Sequence, residues 1–402
     1  MRARLLILAA VLLLVATTAS AARRPKSTLY DSYANTAYGT FISKLYDSNQ
    51  QRLLFSAGSD KPSNYWNTAV ALQSILHYAI FVQARAPKVA AQIVGIVEGL
   101  VETQTKLNQS DPQLRNNYND DMAWMIHALT ALYDYTGIPK YIDMATLLFD
   151  TIKQSDDTTC CGDMLGGVWW DLFHTSKATA AQAGVTIAAL RLRETGAVTK
   201  YSDSYLLQYA AEHYAFWRQH MVNLTNGQVC DNIHPDGVRT WWAFTYNNGL
   251  MLGAAVHLYK ATQDKQYLAD AKMYTHFLMQ GQTVSINGTK KTIMRNDCGE
   301  CDSDASQFHQ VSFQYLTQYY RLLHQLGEPV DELYAFLQAH VDSLWINARD
   351  PQTGLFNCNW DAPFSKGVEG AQGAMNSALS AFSLFTMLPL PSHSPSVLAS
   401  LL

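Results

Sequence analysis

The sequence has few charged residues and no long apolar segment beyond its N-terminus. Only 15% of its 402 residues are Asp, Glu, Lys or Arg, and the formal net charge is -4. Past the first residues no basic run exceeds two, so nothing favours nucleic acid or an anionic membrane as a partner. No later stretch reaches the roughly 20 apolar residues of a membrane span. We therefore expect a neutral ligand and no stable membrane insertion.

The first residues have the pattern of a secretory signal peptide. Arg2 and Arg4 precede an apolar run from Leu5 to Ala16, and Ala19-Ser20-Ala21 is a small-residue cleavage pattern. Residues 1–21 are therefore predicted to be removed. The protein is expected to be secreted, either free outside the cell or associated with a cell wall. Residues 389–402 are predicted to be a short tail, whose final apolar run is too short for a lipid-anchor signal.

The cysteines and glycosylation patterns agree with export. In a secreted chain, disulfides are favoured over free thiols, but the spacing does not fix which cysteines pair. Asn108, Asn223 and Asn287 each begin an N-x-Ser/Thr acceptor pattern. The cysteines are Cys160, Cys161, Cys230, Cys298, Cys301 and Cys358.

Strand-like alternation hardly appears, whereas helical periodicity recurs, so the chain is predicted to be all-α. One pattern repeats: an apolar helix end, a Gly-type C-cap, a tight turn and a new helix. The copies begin at Leu132, Leu192, Leu258 and, more loosely, Leu322. Repeats of this kind indicate stacked helical hairpins.

Twelve helices are predicted in two alternating sets. One set is apolar nearly all round, which is typical of buried helices, and the other carries a charged face. We interpret them as an inner and an outer ring of one closed toroid, a single domain over residues 22–388. The inner helices are predicted at 64–81, 119–135, 178–194, 246–261, 307–325 and 371–387, and the outer ones at 30–48, 87–106, 138–154, 199–221, 265–280 and 329–347.

The connections from outer to inner helices are long, whereas the return connections are short. Long structureless connections are uncommon unless they are functional. Because hairpins alternate in direction, all the long loops should meet at one face, at the N-termini of the inner helices. These loops are predicted at 49–63, 107–118, 155–177, 222–245, 281–306 and 348–370.

Two neighbouring carboxylates, Asp120 and Asp121, stand where one long loop gives way to an inner helix. The simplest interpretation is that Asp120 is a helix N-cap with a second acid in the first turn. The alternative is a catalytic pair for sugar chemistry, which commonly uses two carboxyl groups. Two carboxylates this close should titrate with one low and one raised pKa.

Aromatic and amide side chains precede two other inner helices. Trp169, Trp170 and Lys177 come before the third, and Tyr246, Asn247 and Asn248 open the fourth. Flat apolar rings beside hydrogen-bonding groups suit the faces and hydroxyls of sugars. Alternatively, the tryptophans fill the loops and the asparagines cap helices.

Three motifs together resemble glycoside hydrolase family 76, the endo-α-1,6-mannanases and related cell-wall mannosyl enzymes. They are residues 118–124, residues 166–170 and residues 245–262, in that order. The resemblance covers about residues 30–388 and implies an (α/α)6 barrel. It also implies retention of anomeric configuration, with Asp120 as the nucleophile and Asp121 as the general acid/base. His309 stands where the family often has lysine.

We therefore predict a retaining endo-hydrolase of α-1,6-linked mannan that acts as a monomer without cofactor or metal. A transglycosylase using the same covalent intermediate, and a non-catalytic glycan-binding protein, remain alternatives. A zinc or redox half-site at Cys298 and Cys301, and a calcium site among the acids from Asp297 to Asp304, are disfavoured because the spacing fits neither. The predicted substrate-binding residues are Asn119, Trp169, Trp170, Lys177, Tyr246, Asn247, Asn248 and His309.

Overall fold

The computed structural model describes residues 27–107, 113–286, 289–297, 304–364 and 371–391. Twelve α-helices lie among these residues. A 3-10 turn, Asp304–Gln307, leads into α10, and a π-helical turn, Leu344–Ala348, follows α11. The helices are α1 Ser27–Leu45, α2 Tyr65–Gln83, α3 Pro87–Leu107, α4 Asn119–Thr136, α5 Lys140–Lys153, α6 Thr179–Thr195, α7 Asp203–Met221, α8 Thr245–Thr262, α9 Lys265–Gln280, α10 Phe308–Leu326, α11 Asp331–Ser343 and α12 Gln372–Thr386.

The even-numbered helices form a closed inner ring, because each packs against the next and α12 packs back against α2. The odd-numbered helices lie outside, and α1 completes the ring of hairpins by packing on α12. The predicted (α/α)6 barrel is thus confirmed. Most predicted helix bounds are within a few residues of the observed ones. The outer helix predicted from 199 begins instead at Asp203, where Ser202 provides the N-cap by accepting from the backbone N–H of Tyr205.

The repeated pattern at the inner-helix ends is a left-handed C-cap. Gly137, Gly196 and Gly327 have φ values of 67°, 59° and 72°. Gln263 takes the same conformation at the end of α8, with φ 61°, and its side-chain amide donates to the carbonyls of Tyr259 and Lys260. These caps allow the tight turns that keep this end of the barrel short.

Small residues let the inner helices approach closely. A Cβ on Gly249 of α8 would lie 2.6 Å from the Cα of Ser312, and one on Gly253 would lie 2.4 Å from the ring of Tyr315. Both neighbours belong to α10. The α8–α10 contact therefore depends on glycine at these two positions.

Short antiparallel strands lie within the long loops, and one sheet joins two of these loops. Strands β3 Lys177–Ala178, β4 Asn232–Ile233 and β5 Arg239–Thr240 form one small sheet from the loops before α6 and α8. The other two pairs are β1 Tyr46–Asp47 with β2 Arg52–Leu53, and β6 Thr283–Ser285 with β7 Thr292–Met294. The three-stranded sheet fixes two long loops to each other at the mouth of the barrel.

Several predictions concern residues outside the described ranges. The signal peptide at 1–21, most of the tail at 389–402, Asn108, Asn287, Cys298 and Cys301 all lie there, and the domain limits stay predictions. Cys160 and Cys161 are bonded to each other and Cys358 is disulfide-bonded, but Cys230 is a buried free thiol. Asn223 is exposed, as an acceptor site requires. No helix in the described ranges combines the length and the apolar character needed to cross a membrane.

Candidate active site

A cavity of about 570 Å³ opens where the long loops meet the N-termini of the inner helices. Aspartates and aromatic rings dominate its wall, and no Lys or Arg is among the described residues that line it. Such a wall disfavours an anionic ligand and suits a neutral, hydroxyl-rich one. The lining residues are Asn64, Tyr65, Trp66, Tyr118, Asp120, Asp121, Trp124, Trp170, Ser176, Ala178, Ala180, Asp231, Asn232, Tyr246, Asp304, Phe308 and Val311.

Asp120 and Asp121 lie in the first turn of α4 and both line the cavity. The residue at the cap position is Tyr118, which makes no side-chain cap hydrogen bond. The interpretation of Asp120 as the N-cap is therefore wrong. The first backbone N–H of the helix, at Asn119, is satisfied by the carbonyl of Trp170 at 2.8 Å. The backbone N–H groups of Asp120 and Asp121 hydrogen-bond the Asp120 carboxyl group from within the first turn.

Burial raises the pKa of Asp120 to about 6. Hydrogen bonding from the Trp170 indole and from backbone N–H groups of the first helical turn lowers the pKa and offsets part of this effect. The Oδ1 atom of Asp120 is buried and has no hydrogen-bond partner within the described ranges. The residue itself lines the cavity, so its carboxyl group lies at the wall with one oxygen not engaged by another described group.

The pKa of Asp121 is raised well above its ordinary value, first by burial and then by the charge of Asp120. Asn116 Nδ2 donates to Asp121 Oδ2 at 2.6 Å and lowers the pKa. We predicted one low and one raised pKa, but both are raised, because burial outweighs the helix N-terminus at Asp120. The order is as expected, with Asp121 keeping its proton to higher pH.

Trp170 and Tyr246 are the two predicted substrate-binding residues that line the cavity. Trp170 contacts the ring of Tyr118 at 5.1 Å between centroids. The Tyr246 hydroxyl donates to Asp231 Oδ1 at 2.6 Å. Both side chains are therefore held in place at the wall and present a ring to the cavity.

The structure adds two acids that the sequence analysis did not assign to the site. Asp231 accepts from Tyr246 and from two asparagine amides, and burial raises its pKa. Asp304, considered only as a calcium ligand, accepts from the Trp66 indole at 2.7 Å and also raises the pKa values of the Asp120–Asp121 pair. Asp231 immediately precedes the two-residue strand β4 rather than starting a helix, so no periodic signal marked it.

Lys177 does not line the cavity, which corrects its assignment to substrate binding. The side chain is completely buried, and Nζ donates to Asp157 Oδ2 at 2.7 Å and to the carbonyls of Cys160 and Gly166 at 2.5 Å. An ammonium group has three N–H donors, and all three are used here. Lys177 instead ties together the loop that carries Trp170.

The three asparagines predicted to bind substrate also lie behind the cavity wall. Asn119 Nδ2 donates to the Trp169 carbonyl, Asn247 Nδ2 to Asp231 and the Trp242 carbonyl, and Asn248 Nδ2 to the Gly227 carbonyl. All three residues are fully buried. They fix the long loops before α6 and α8, so their assignment as direct sugar ligands is corrected.

Trp169 and His309 complete the corrections. Trp169 is buried and stacks on His174 with ring centroids 4.7 Å apart. His309 is buried, bonds the carbonyl of Arg295 through Nε2 and packs on Trp360. Neither lines the cavity.

The described residues contain no group of three or more His, Cys, Asp or Glu placed to hold a metal ion. Asp297, one of the acids considered for calcium, accepts from the backbone N–H of Thr245 at 2.7 Å. It therefore caps the start of α8.

Paired carboxyl groups in an aromatic-lined cavity are the arrangement that glycan-cleaving proteins use. The sequence model of "Glycosyl hydrolase family 76" matches residues 29–399. The chain belongs to this family of glycoside hydrolases, which confirms the resemblance found from the motifs.

Two curated relatives are fungal. "Mannan endo-1,6-alpha-mannosidase DCW1" of Saccharomyces cerevisiae is 27% identical over 278 residues, which cover 61% of this chain and 58% of the relative. The protein of the same name from Candida albicans is 24% identical over 307 residues, 71% of this chain and 60% of the relative. The chain thus spans about three-fifths of the length of these relatives.

Solved structures share the fold. The α-1,6-mannanase GH76A of Salegentibacter sp. HEL1_6, as an inactive variant with two consecutive aspartates changed to asparagine and bound to α-1,6-mannotriose, has a TM-score of 0.76. It is 21% identical, with 90% of this chain and 100% of that chain covered. Dfg5 from Chaetomium thermophilum, in complex with glucosamine, has a TM-score of 0.67 at 16% identity, with 90% and 92% covered.

Proposed function

We propose that the protein is a retaining glycoside hydrolase that cleaves α-1,6-mannosidic linkages within mannan chains. The observation that carries the proposal is the pair Asp120 and Asp121, side by side in one cavity with pKa values raised to different extents. Two carboxyl groups with different protonation are what glycoside cleavage requires.

In this mechanism Asp120 is the nucleophile. Its carboxylate attacks the anomeric carbon and forms a covalent glycosyl ester as the bond to the leaving oxygen breaks. Backbone N–H groups at the start of α4 and the Trp170 indole lower its pKa and so favour the carboxylate. Its pKa of about 6 makes it available as an anion at neutral pH.

Asp121 is the general acid and then the general base. Its raised pKa keeps the proton that it delivers to the leaving oxygen. It then takes a proton from the water that hydrolyses the ester, which releases the sugar with its original configuration. Asn116 holds one oxygen of Asp121 and so orients the carboxyl group.

The cavity wall supports a neutral glycan. Trp66, Trp124 and Trp170 offer apolar faces, while Asp231, Asp304 and Asn232 offer hydrogen-bonding groups. The named activity of the fungal relatives and the mannotriose bound to the bacterial mannanase both support α-1,6-mannan as the substrate. We propose this substrate for the present chain on both grounds.

The test is incubation with linear α-1,6-mannooligosaccharides, with chromatography of the products and NMR of the anomer first formed. Internal cleavage with α-anomer formed first is the expected result. A first-formed β-anomer contradicts retention. Transfer to an added labelled acceptor sugar with little free reducing end supports the transglycosylase alternative instead, because that reaction shares the covalent intermediate.

Export is also part of the proposal, and it rests on the charged start, apolar run and small-residue cleavage pattern of residues 1–21. A monomeric state is a separate part of the proposal. Sequencing the N-terminus of the secreted protein should find it near Ala22, and light scattering should give the mass of one chain. Retention inside the cell with residues 1–21 intact would contradict export.

A further inference from the structure

A second cavity, of about 420 Å³, lies on the long-loop face. Its wall contains an exposed indole, an arginine and a buried carboxylate, and none of these side chains takes part in the mechanism above. The residues that line it are Trp242, Ala243, Phe244, Arg295, Asn296 and Asp297.

Phe244 stands between the two cavities. It lines the second cavity, and its ring centroid is 5.4 Å from Phe308 and 5.9 Å from Tyr246, both of which line the first. An extended ligand that leaves the first cavity across these rings therefore reaches the second. The two cavities are neighbouring parts of one face.

Trp242 is the most exposed feature of the second cavity, with 59% of its surface accessible. Among the residues that the structure describes, one ring contacts the indole, that of Phe244, edge-on at 5.7 Å between centroids. Exposed apolar surface that is rimmed by polar groups is a feature of ligand-binding grooves. An indole face of this kind suits the C–H face of a pyranose ring.

The backbone beneath Trp242 is firmly anchored. The Ala243 carbonyl accepts from Arg295 NH2 at 2.7 Å and from Gln282 Nε2 at 2.6 Å. The Trp242 carbonyl accepts from Asn247 Nδ2 at 3.3 Å. The exposed ring is thus carried on a fixed segment, which lowers the entropy lost when a ligand binds.

Polar groups stand beside the ring. The Asp297 side chain is 1% exposed, and its Oδ1 has no hydrogen-bond partner in the described parts of the chain, although Arg295 Nε lies 3.9 Å away. The Arg295 side chain is 46% exposed, so part of its guanidinium can donate to a ligand. A carboxylate acceptor and a guanidinium donor together can bind vicinal hydroxyl groups. Their charges cancel, which again favours a neutral ligand.

We propose that the second cavity is an accessory subsite for a hexopyranose unit of the same glycan, stacked on Trp242 and hydrogen-bonded by Arg295 and Asp297. The inference rests on the proposed function in taking the glycan to be α-mannan. The subsite makes the affinity for the glycan depend on the length of the glycan, because only a ligand long enough to cross Phe244 reaches Trp242.

The experiment compares Trp242→Ala with Trp241→Ala in an Asp120→Asn, Asp121→Asn background that binds without turnover. Trp241 is the matched control, because it is the adjacent tryptophan, is 39% exposed and lines neither cavity. Calorimetry would measure Kd for α-1,6-linked oligosaccharides from the disaccharide upward and for mannan. We expect Trp242→Ala to weaken the long ligands about tenfold, the size of one lost ring contact, and to leave the disaccharide unchanged. Trp241→Ala should bind every ligand like the parent.

Three results would overturn the subsite: equal affinity of the Trp242 variant and the parent for every length, an equal loss at every length, or an equal loss in the Trp241 control. Binding of none of these ligands by the parent would also overturn it. Turnover by the unmodified enzyme separates the two claims. Cleavage of α-1,6-mannan without the length effect contradicts the subsite alone, whereas the length effect without cleavage or transfer supports the subsite and contradicts the proposed chemistry.

Discussion

The predicted site residues at the open end of the barrel fall into two groups with different surroundings. The cavity group lines the main cavity and consists of Asp120, Asp121, Trp170 and Tyr246. The support group is buried behind the wall and consists of Asn119, Trp169, Lys177, Asn247, Asn248 and His309. The polar side chains of the support group bond mostly to loop carbonyls.

A distinctive set of residues at the mouth of a barrel thus contains both reacting and scaffolding residues. Long loops carry many backbone polar groups, and each buried one needs a partner. Asparagine and lysine provide those partners here. Changes in the two groups should therefore have separable effects, on turnover in one and on stability in the other.

The largest effect is expected in the cavity group. Asp120→Asn and Asp121→Asn should each lower kcat on α-1,6-mannan about a thousandfold or more, because one removes the nucleophile and the other the proton donor. Thermal unfolding should show that both variants remain folded. Full turnover in either variant would exclude the proposed pair.

Lys177→Met should lower the free energy of unfolding by about 3–5 kcal/mol, because it leaves Asp157 and two carbonyls without their shared partner. The control is Lys272→Met on the exposed side of α9, which should change stability by less than about 0.5 kcal/mol. Urea unfolding measures both. A Lys177 variant that keeps its stability and shows only a raised KM would indicate that Lys177 contacts the substrate.

The pH dependence of kcat/KM tests the division of roles within the pair. The active form has Asp120 ionised and Asp121 protonated, so activity should rise as pH increases through about 6 and fall where Asp121 loses its proton. Asn116→Ala removes a donor that lowers the pKa of Asp121 and should move the alkaline limb to higher pH. An unchanged alkaline limb would count against Asp121 as the acid.

Asn248→Ala should cost about 1–3 kcal/mol of stability, because the Gly227 carbonyl and the Val229 N–H lose their partner. Its kcat should change little if the variant is assayed well below its Tm. Tyr246→Phe, from the cavity group, should instead lower kcat/KM with a smaller loss of stability. If Asn248→Ala mainly lowered kcat/KM and Tyr246→Phe mainly lowered stability, the two groups would not differ in the way proposed.

The last expected effect is a gain in stability. The folded-state pKa of Asp120 lies above its ordinary value, so the native protein binds this proton more tightly than the unfolded chain does. The carboxyl group therefore favours folding least above pH 6, where its charge is buried. A rise of about two pKa units corresponds to about 3 kcal/mol, so Asp120→Asn should stabilise the fold by up to that amount at pH 7, and the gain should vanish as pH falls below about 4. A uniform gain at all pH values would contradict this origin.

Periodicity and repeats predicted the fold well. The left-handed caps at Gly137, Gly196 and Gly327 were visible as turns, and even Gln263 was placed at a helix end by its repeat. The placement of Asp120 and Asp121 at the open end of the barrel was predicted from the difference between long and short connecting loops. These features depend on local backbone preferences, which the sequence records directly.

The direction of individual side chains could not be predicted. Whether Asn248 points into the cavity or towards the Gly227 carbonyl depends on how a neighbouring loop folds over α8. Asp231 was missed because its role depends on strand β4 pairing with β3 and β5, and two-residue strands leave no periodic signal. Tertiary contacts of this kind appear only in the folded chain.

In the proposed mechanism, Asp120 forms a covalent bond with the sugar while Asp121 transfers protons. A slowly turning over α-mannosyl fluoride with fluorine at the 2-position should trap the intermediate, and peptide mass spectrometry can locate the added sugar. We expect one glycosyl group on Asp120. A label on Asp121 would reverse the roles, and a chain that cleaves mannan but takes no label would contradict the covalent mechanism.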